Sequence, residues 1–345
     1  MKLLLIGSES VHLPNYLELV RPALTDYKIV SNRPVKGEED VTVVAPFTYR
    51  SIRSIIRTIR ILRKTIHSFN PDIIHVHQAN VYALLTVIAN KKTLKPLVVT
   101  GWGSDILVTP SKHFFHRWVL AFVLKHANAF TCGSLYMKKK LMSYGFSADL
   151  PVLVANFGIR VDPNQCEKEN IIYSNRLHEP IYRIDRIIRE FETFYKSDVG
   201  KSWRLVIAGS GSQTAALKVL TDSLGLSGVV DFVGWLSFQQ NSAYYNRSSI
   251  YCSLPVSDSA AISVVESMAC GCVPVVTDLP AMRELVTDQQ NGLLVGENET
   301  GIFERVLDVS WKSARKFNMD VGAQFGSRTI NSAAFIGLYH KLLNV

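Results

Sequence analysis

Two carboxylates separated by a change from loop to helix are the residues best suited to chemistry in this chain. Asp258 and Glu266 stand eight residues apart, and the apolar helical pattern between them ends at Gly271. Such a helix begins with unpaired backbone N–H groups and the positive end of its dipole. The amides near Ile262 and Ser263 therefore suit a diphosphate. We expect Glu266 to accept hydrogen bonds from ribose and Asp258 to reach a sugar attached to the diphosphate.

The sequence around these carboxylates resembles a known signature. Glu266-Ser-Met-Ala-Cys-Gly is close to E-A-M-A-x-G, Pro274–Glu284 resembles P-V-V-x-(S/T)-D-x-x-x-x-x-E, and Asn291-Gly-Leu-Leu-Val resembles N-G-x-L-V. With Asp258 in place of the first glutamate, the stretch is similar to the E-x7-E signature of retaining glycosyltransferases with the GT-B fold, the large family 4 group. The resemblance is strong over about residues 170–296 and weaker over 1–160.

Short apolar strands alternate with helical patterns along both halves of the chain. The predicted strands are Leu3–Ile6, Val41–Val44, Ile73–Val76, Leu97–Thr100, Ala129–Thr131, Ile171–Ser174, Arg204–Ala208, Val229–Val233, Ile250–Ser253 and 273–277. The helices predicted in the second half are Arg186–Tyr195, Thr214–Leu224, Gln239–Arg247 and 262–270. This alternation predicts βαβ units and parallel sheets. The resemblance implies an α/β GT-B fold, with two Rossmann-like doubly wound domains facing across a cleft.

The length of 345 residues predicts more than one domain. We place an acceptor-binding domain at 1–160, a nucleotide-sugar-binding domain at 161–305 and C-terminal helices at 306–345. The boundary between the first two follows Val154–Pro163, which resembles the linker of the family. In the resembling fold, the last helix crosses back to the N-terminal domain.

The charge distribution and the cysteine content indicate which cellular compartment and which kinds of site to expect. The net charge is +9, and residues 1–150 carry 20 Lys and Arg against 9 Asp and Glu, whereas residues 151–345 carry 18 against 20. Five cysteines without a framework spacing indicate a reducing cytoplasm. Cys270 and Cys272 form a C-x-C without a second ligand pair, so we expect no metal site. No apolar run approaches the roughly 20 residues that span a bilayer.

Two segments of the basic half suggest contact with an anionic membrane. In Arg50–Lys64, the basic residues recur every three or four positions, which places them on one helix face, and Ile52, Ile55, Ile56, Ile59 and Leu62 share another. In Lys112–Trp118, aromatic and basic residues alternate, as in interfacial anchors. A solvated charged face explains the helix equally well. No motif supports a nucleic acid as partner.

The resemblance implies further donor-site residues in the second half. Arg176 matches an arginine that holds the diphosphate of the donor. The lysine expected five residues later is absent because Ile181 stands there, and Arg183 is the candidate replacement. Gly209 and Gly211 would lie near the donor, and Gly234 and Trp235 near the nucleobase. Turn glycines and a packing tryptophan are the alternative interpretations of these four residues.

In the first half, two strand ends carry candidate site residues. Thr100-Gly-Trp-Gly-Ser-Asp105 ends one strand, and Trp102 occupies a position where the family often has histidine. Asp105 is a candidate for a role in the site, with loop capping as the alternative. We expect His75 and His77 to face opposite sides of the sheet and His77 to reach the cleft. A satisfied structural histidine is the alternative for His77.

The resemblance implies a retaining glycosyltransferase without an obligatory cofactor. We expect it to move a sugar from a nucleotide donor, UDP in first place and GDP second, to a glycan or polyprenyl-linked acceptor in cell-surface polysaccharide assembly. We also expect a cytoplasmic location at the inner face of the cell membrane. The open alternatives are a nucleotide-sugar epimerase or phosphorylase on the same fold, and a non-catalytic binding subunit.

Overall fold

The computed structural model describes residues 1–145, 150–164, 166–259 and 261–344. Ala260, which lies between Asp258 and Glu266, and Val345, which ends the predicted C-terminal segment, are outside the described residues. The chain forms two compact units. The first contains Met1–Phe157 together with Arg328–Val345, and the second contains Gly158–Ser327. Both ends of the chain therefore belong to the first unit.

The first unit is built on a parallel sheet that has seven strands among the described residues. The strands are β1 (Lys2–Gly7), β2 (Asp26–Ser31), β3 (Thr42–Val44), β4 (Ile73–His77), β5 (Leu97–Thr100), β6 (Ala129–Cys132) and β7 (Val152–Val154). Their order in the sheet is β3-β2-β1-β4-β5-β6-β7. The first two parallel pairs place Leu3 beside Tyr27 and beside Ile73.

Helices cover both faces of this sheet. They are α1 (His12–Val20), α2 (Ile52–Phe69), α3 (Val81–Asn90), α4 (Ser104–Leu107), α5 (Thr109–Lys112), α6 (Phe114–His126), α7 (Leu135–Met142) and, at the end of the chain, α14 (Arg328–Leu343). Alternate residues of a strand point to opposite faces. Accordingly, Leu4 and Ile6 join one buried cluster with residues of α2, whereas Leu3 and Leu5 join another with residues of α1 and α14.

The second unit repeats the plan with six parallel strands among the described residues. The strands are β8 (Glu169–Ser174), β9 (Arg204–Ala208), β10 (Val230–Gly234), β11 (Ser248–Ser253), β12 (Val273–Thr277) and β13 (Leu293–Val295). The helices are α8 (Ile184–Tyr195), α9 (Thr214–Ser223), α10 (Phe238–Arg247), α11 (Ile262–Ala269), α12 (Ile302–Val306) and α13 (Trp311–Phe325). The sheet order is β10-β9-β8-β11-β12-β13.

Each sheet has a point where the strand order reverses. In the first unit this point lies between β1 and β4, and in the second it lies between β8 and β11. Open α/β sheets bind ligands outside the carboxyl ends of the strands at such a switch point. The loops that follow β1, β4, β8 and β11 therefore lie where a ligand is expected. The predicted α/β class with two doubly wound parallel sheets is confirmed.

Three strands of the structure are absent from the predicted set. β2 begins with Asp26-Tyr-Lys, which is polar, and only its last three residues are buried. β7 and β13 have three residues each, too few for a periodic pattern. The predicted strand Val41–Val44 loses its first residue, because Glu39–Val41 forms a 3-10 turn.

The predicted C-terminal segment 306–345 is divided between the two units. α13 belongs to the second unit, where it packs against α11. α14 belongs to the first unit, where it packs against α1. The chain passes from the first unit to the second between Phe157 and Gly158, within the predicted linker Val154–Pro163.

The basic segment of the first unit forms α2, but its faces differ from the expected pattern. The hydroxyl of Ser51 caps the helix by accepting from Ser54 N at 3.3 Å, so Arg50 lies before the helix. Leu62 and Ile66 are buried against the sheet, whereas Ile52 and Ile56 are exposed on the side of the arginines. The expectation of one apolar face shared by all five residues was therefore wrong for Ile52 and Ile56.

Candidate functional site

The switch point of the second sheet brings together residues that are distant in sequence. Arg176 follows β8, Asp258 follows β11, and Ser263 lies in the first turn of α11. The guanidinium of Arg176 donates from Nη2 to Asp258 Oδ2 at 2.7 Å and from Nη1 to Ser263 Oγ at 2.9 Å. Its centre also lies 4.5 Å from the ring centroid of Tyr182. Three predicted donor-site residues thus form one hydrogen-bonded group.

The ion pair in this group is shielded from water. The side chains of Arg176 and Asp258 are 13% and 14% exposed. Burial raises the pKa of Asp258, and the charge of Arg176 and its hydrogen bonds act against that rise. For Arg176, burial favours the neutral form, but the charge of Asp258 and the neighbouring tyrosines outweigh it and raise the pKa. A paired, fixed guanidinium is an ordered donor for an anion.

The first turn of α11 adds backbone donors to the group. An α-helix leaves its first amides without intrahelical partners. The residue before α11 is Ala261, which provides no side-chain cap. Ile262 and Ser263 are the first two residues of α11, so their amides have no partner within the helix. A contact of these amides with the donor stays a prediction. Asp258 does not cap α11 itself but accepts from Ser259 N at 2.9 Å.

Glu266 lies one turn further along α11 in a mostly buried setting. Tyr245 donates its hydroxyl to Glu266 Oε2 at 3.2 Å. Burial raises the pKa of Glu266 to about 7, opposed by a hydrogen bond from the Arg160 amide and by the bond from Tyr245. At neutral pH the carboxyl is therefore divided between its two protonation states and can accept or donate a hydrogen bond.

Behind Glu266 lies a network of tyrosines and asparagines that the sequence analysis missed. Asn175 donates to the Tyr245 hydroxyl at 2.7 Å and to Asn241 Oδ1 at 2.9 Å. Tyr251 donates to Asn175 Oδ1 at 2.9 Å, and Tyr173 donates to Asn241 Oδ1 at 2.7 Å. A fully bonded polar network fixes its members in one arrangement. Asn175 directly precedes Arg176, and this adjacency was the available signal.

The glycines that follow β9 hold the Arg176 loop in place. Gly209 has φ of +103°, and a Cβ there would come within 2.7 Å of the Arg176 carbonyl oxygen. A Cβ at Gly211 would come within 2.6 Å of the His178 carbonyl oxygen. Both positions therefore require glycine because another backbone segment approaches closely. A contact with the donor stays a prediction for these two residues.

Gly234 is the last residue of the neighbouring strand β10, and Trp235 follows it. Gly234 has φ of +70°, and its carbonyl accepts from Gly209 N at 2.7 Å. Trp235 is 70% exposed. The side chain of Trp235 is thus available to a ligand, and its contact with a nucleobase stays a prediction.

Arg183 is turned toward the protein backbone. Its Nε donates to the Leu254 carbonyl at 2.7 Å, and its Nη2 donates to the Pro255 carbonyl at 3.2 Å and to Thr277 Oγ1 at 3.3 Å. These contacts hold the loop that leads to Asp258. A role for Arg183 in place of the missing lysine stays a prediction, and the structure gives it the contacts of a loop-fixing residue.

In the first unit, Asp105 caps its own loop. Its carboxylate accepts from Ala79 N at 2.8 Å, Trp102 N at 3.0 Å and Gly103 N at 2.9 Å. Burial raises the pKa of Asp105, and these amide hydrogen bonds oppose the rise. The contacts are those of the loop-capping alternative, and they join the loops that follow β4 and β5.

His77 is buried at the end of β4 with one ring nitrogen unpaired. Trp102 donates its indole N–H to His77 Nδ1 at 3.3 Å. The Nε2 atom of His77 has no hydrogen-bond partner among the described residues. Burial, together with the nearby His75 and His12, lowers the pKa of His77. Trp102 thus supplies a hydrogen-bond donor where the resembling family often has histidine.

The expectation that His75 and His77 face opposite sides of the sheet was wrong. Side chains two residues apart in a strand share a face, and both rings contact Tyr16. His75 Nδ1 lies 2.6 Å from the hydroxyl of Tyr339 in α14, and Nε2 lies 2.6 Å from Thr100 Oγ1. Burial lowers the pKa of His75 to about 3, so the ring is neutral.

The cysteines of the C-x-C motif are buried as thiols. Cys272 donates to the carbonyls of Tyr245 and Ser248 at 3.1 and 3.3 Å. In the part of the chain that the structure describes, no cluster of three or more His, Cys, Asp or Glu side chains could hold a metal ion.

Two family models match the chain, and they cover the two sheets separately. The model of glycosyl transferases group 1 matches residues 159–310, which include Arg176, Asp258 and Glu266. The model of glycosyl transferase 4-like proteins matches residues 2–134. The chain is a GT-B glycosyltransferase.

Individual relatives agree with this family. Over 109 residues the chain is 33% identical to an uncharacterized glycosyltransferase of Haemophilus influenzae, covering 31% of this chain and 30% of that protein. Over 201 residues it is 28% identical to the Campylobacter jejuni N-acetylgalactosamine-N,N'-diacetylbacillosaminyl-diphospho-undecaprenol 4-alpha-N-acetylgalactosaminyltransferase, covering 51% of this chain and 52% of that protein. The matched segment thus spans less than two thirds of either relative.

A solved structure shares the whole fold. The Anabaena protein HepE in complex with UDP matches with a TM-score of 0.82 and 14% identity, over 99% of this chain and 100% of that chain. At this level of identity the match shows the fold and leaves the substrates of this glycosyltransferase to be proposed.

Proposed function

We propose that this glycosyltransferase moves a sugar from a nucleoside diphosphate to a lipid-linked glycan. The part of this proposal that concerns the nucleotide donor is called the donor half. It rests on the hydrogen-bonded group of Arg176, Asp258 and Ser263 at the start of α11. UDP is the first choice of nucleotide, because HepE was solved with UDP, and GDP is the second. The acceptor class is supported by the diphospho-undecaprenol acceptor in the name of the Campylobacter jejuni relative.

Each residue of the group has a distinct part in this proposal. Arg176 and the amides of Ile262 and Ser263 bind the diphosphate, which gains charge as the bond to the sugar breaks. A guanidinium has five N–H donors, so the bonds to Asp258 and Ser263 leave others for phosphate oxygens. Asp258 orients Arg176 and contacts the donor sugar, and Glu266 bonds the ribose hydroxyls. Transfer retains the anomeric configuration, as the sequence resemblance implies.

The donor half is tested by replacing Glu266 and measuring ligand binding and transfer. We expect UDP at a hundred times its dissociation constant to raise the free energy of unfolding by about 2.7 kcal/mol. Glu266→Ala should lose that gain and nearly all transfer while still folding. GDP, ADP and CMP serve as comparison ligands. Glu167→Ala removes an exposed carboxylate near the amino end of β8 and should keep both properties.

Two results would contradict the donor half. Normal sugar transfer by the Glu266→Ala variant would mean that Glu266 is not part of the donor site. Conversion of the nucleotide sugar without any acceptor would indicate an epimerase in place of a transferase.

We also propose that the first unit binds the inner face of the cell membrane through a basic aromatic face. We define this face as Arg50–Arg57 together with Lys112–Trp118. Ile52 is 75% exposed, Phe114 is 89% exposed and Trp118 is 55% exposed. Apolar side chains that project among cations match the interface of an anionic bilayer.

The two segments of the basic aromatic face adjoin each other. The ring of Tyr49, just before the face begins, lies 5.4 Å from the ring of Phe115. The guanidinium of Arg117 lies 5.8 Å from the ring of Tyr144, and Lys140 of α7 lies 5.4 Å from the same ring. The charged surface thus continues into α7, whose lysines the sequence analysis did not single out.

Within residues 1–145, the cations of this surface have no carboxylate partner. Over residues 1–145, no Asp or Glu side chain lies within 4.0 Å of the charged groups of Arg53, Arg57, Arg117 or Lys140. Helices of the described residues are too short or too polar to cross a bilayer. We therefore propose surface binding by charge and by shallow insertion of the aromatic rings.

Vesicle sedimentation tests the basic aromatic face. Each basic residue near an anionic surface contributes about 1 kcal/mol. Arg53→Gln with Arg57→Gln should therefore weaken binding to phosphatidylglycerol vesicles roughly 30-fold. Lys91→Gln with Lys92→Gln removes the same charge from exposed sites outside the face and should change binding little. If both pairs of substitutions weaken vesicle binding equally, the binding depends only on the net charge of the protein. That result would contradict a defined binding face.

A further inference from the structure

A cavity lies at the opposite end of the strands of the second sheet from Arg176. Its volume is about 560 Å³, and Lys168, Gly271, Trp311, Arg315 and Met319 are among the residues that line it. Lys168 directly precedes β8 and Gly271 precedes β12, so the cavity lies at the amino ends of the strands. Arg176 and Asp258 follow the carboxyl ends. The cavity is therefore separate from the proposed donor site.

Four cations line this cavity, three of them from one face of α13. They are Lys168, Lys312, Arg315 and Lys316. Over residues 166–259 and 261–344, none of the four lies within 4.0 Å of a carboxylate oxygen in an ion pair. Asp320 also lines the cavity and is the one acidic side chain among the described residues of its lining. The local charge is thus positive by three.

Two of these cations are fixed by backbone carbonyls. Lys168 donates to the carbonyls of Tyr245 and Cys270 at 2.8 and 2.7 Å. Arg315 donates from Nη2 to the Cys166 carbonyl at 3.2 Å. A Cβ on Gly271 would come within 2.9 Å of Arg315 Nε, so the guanidinium lies directly over this glycine. Carbonyl contacts position a cation without cancelling its charge.

The start of α13 adds to the positive character. Trp311 and Lys312 are the first two residues of this 15-residue helix, and Ser310 before them makes no side-chain cap. Their amides therefore lack intrahelical partners, and the positive end of the helix dipole lies beside the cavity. Fixed cations, two further lysines and free helix amides are together the usual partners of a phosphate.

The lining residues and the volume of the cavity indicate which group the ligand has besides a phosphate. Trp311 and Met319 supply an aromatic and an apolar surface, and bases stack readily on aromatic rings. Sites for small molecules usually measure about 300–1,000 Å³. We propose that this cavity binds a nucleoside monophosphate, with its phosphate at Arg315 and Lys316 and its base at Trp311. It is a second anion site on the unit that also carries the proposed donor site.

Equilibrium dialysis with UMP tests this site by counting bound ligand per chain. Arg315→Gln with Lys316→Gln should lose one bound UMP relative to the unchanged protein. Arg189→Gln with Lys218→Gln removes the same charge from exposed positions on α8 and α9 and should lose none. Arg176→Ala should keep the cavity site, whether or not UMP also binds at the donor site. Uridine, which lacks the phosphate, should leave the cavity empty.

The outcomes separate this proposal from the proposed function. The loss of one UMP in the Arg315 and Lys316 variant supports the cavity site even if the donor site binds no UMP. An unchanged count in that variant, or no bound UMP in the unchanged protein, would overturn the cavity site. Neither of those results would affect the test of Glu266 with UDP.

Discussion

At the level of single residues, Glu266 combines burial with few compensating contacts. Asp105 is also buried, but it accepts three backbone amides other than its own. Glu266 has one tyrosine hydroxyl and one backbone amide, and its pKa rises to about 7. Burying a carboxylate without full hydrogen bonding favours the protonated form. A ribose in the proposed site would supply the missing hydrogen bonds.

The raised pKa of Glu266 predicts a stability that falls with pH. Between pH 4.5 and about 7 the unfolded chain has released this proton while the folded chain keeps it. The free energy of unfolding therefore decreases as pH rises through this window. Glu266→Gln should be more stable than the unchanged protein at pH 8, by up to about 3 kcal/mol. The difference should vanish near pH 4.5.

Urea denaturation at pH 4.5, 6 and 8 measures this difference. Glu167→Gln, which changes an exposed carboxylate, should show no such pH dependence relative to the unchanged protein. A constant difference between Glu266→Gln and the unchanged protein at all three pH values would contradict the raised pKa.

The sequence predicts the chemical types of the site better than their contacts. Asp258, Glu266 and Arg176 were identified from motif spacing. The contacts between them were not predicted, because the ion pair of Arg176 and Asp258 joins residues 82 positions apart and depends on the conformation of two loops. The network around Asn175 was missed for another reason. Tyrosines on a strand or helix look the same in sequence whether they pack or support a carboxylate.

At the level of elements, the turn after β9 is fixed by close approach of the Arg176 loop. Gly209→Ala would place a Cβ 2.7 Å from a carbonyl oxygen at φ of +103°. A strained backbone of this kind costs about 1–3 kcal/mol. We expect this loss in the free energy of unfolding by urea denaturation, together with weaker binding of UDP.

Gly228→Ala is the matched control for this prediction. Gly228 precedes β10 in the same unit, and no atom lies within 4 Å of a Cβ placed there. It should change stability by less than about 0.5 kcal/mol. If the two substitutions change the free energy of unfolding equally, the Arg176 loop can move to accommodate a Cβ, and its conformation does not depend on Gly209.

The elements themselves were predicted where a run was long enough to show a period. β9 and β12 have the predicted bounds, and α8 and α10 begin within two residues of theirs. Two short strands at sheet edges, β7 and β13, gain their stability from pairing with a neighbour. The sequence of three residues carries little of that information, so their bounds could not be predicted.

At the level of the whole molecule, the first unit is completed by the last helix of the chain. The chain leaves this unit after Phe157 and returns at Arg328. On α14, Phe335 and Tyr339 are fully buried with Leu3, Leu5 and Tyr16. The Tyr339 hydroxyl also lies 2.5 Å from the Tyr16 hydroxyl. The first sheet therefore lacks one covering helix until the end of the chain has folded.

This arrangement predicts a large effect of a single substitution near the C-terminus. Phe335→Ala should lower the free energy of unfolding by about 3–5 kcal/mol, because it leaves a cavity in a closed core. Phe317→Ala on α13 truncates a ring that is 51% exposed and should cost far less. Urea denaturation, followed by tryptophan fluorescence, compares the two variants. Equal losses would mean that α14 adds no more to the core of the first unit than an exposed ring adds to the second.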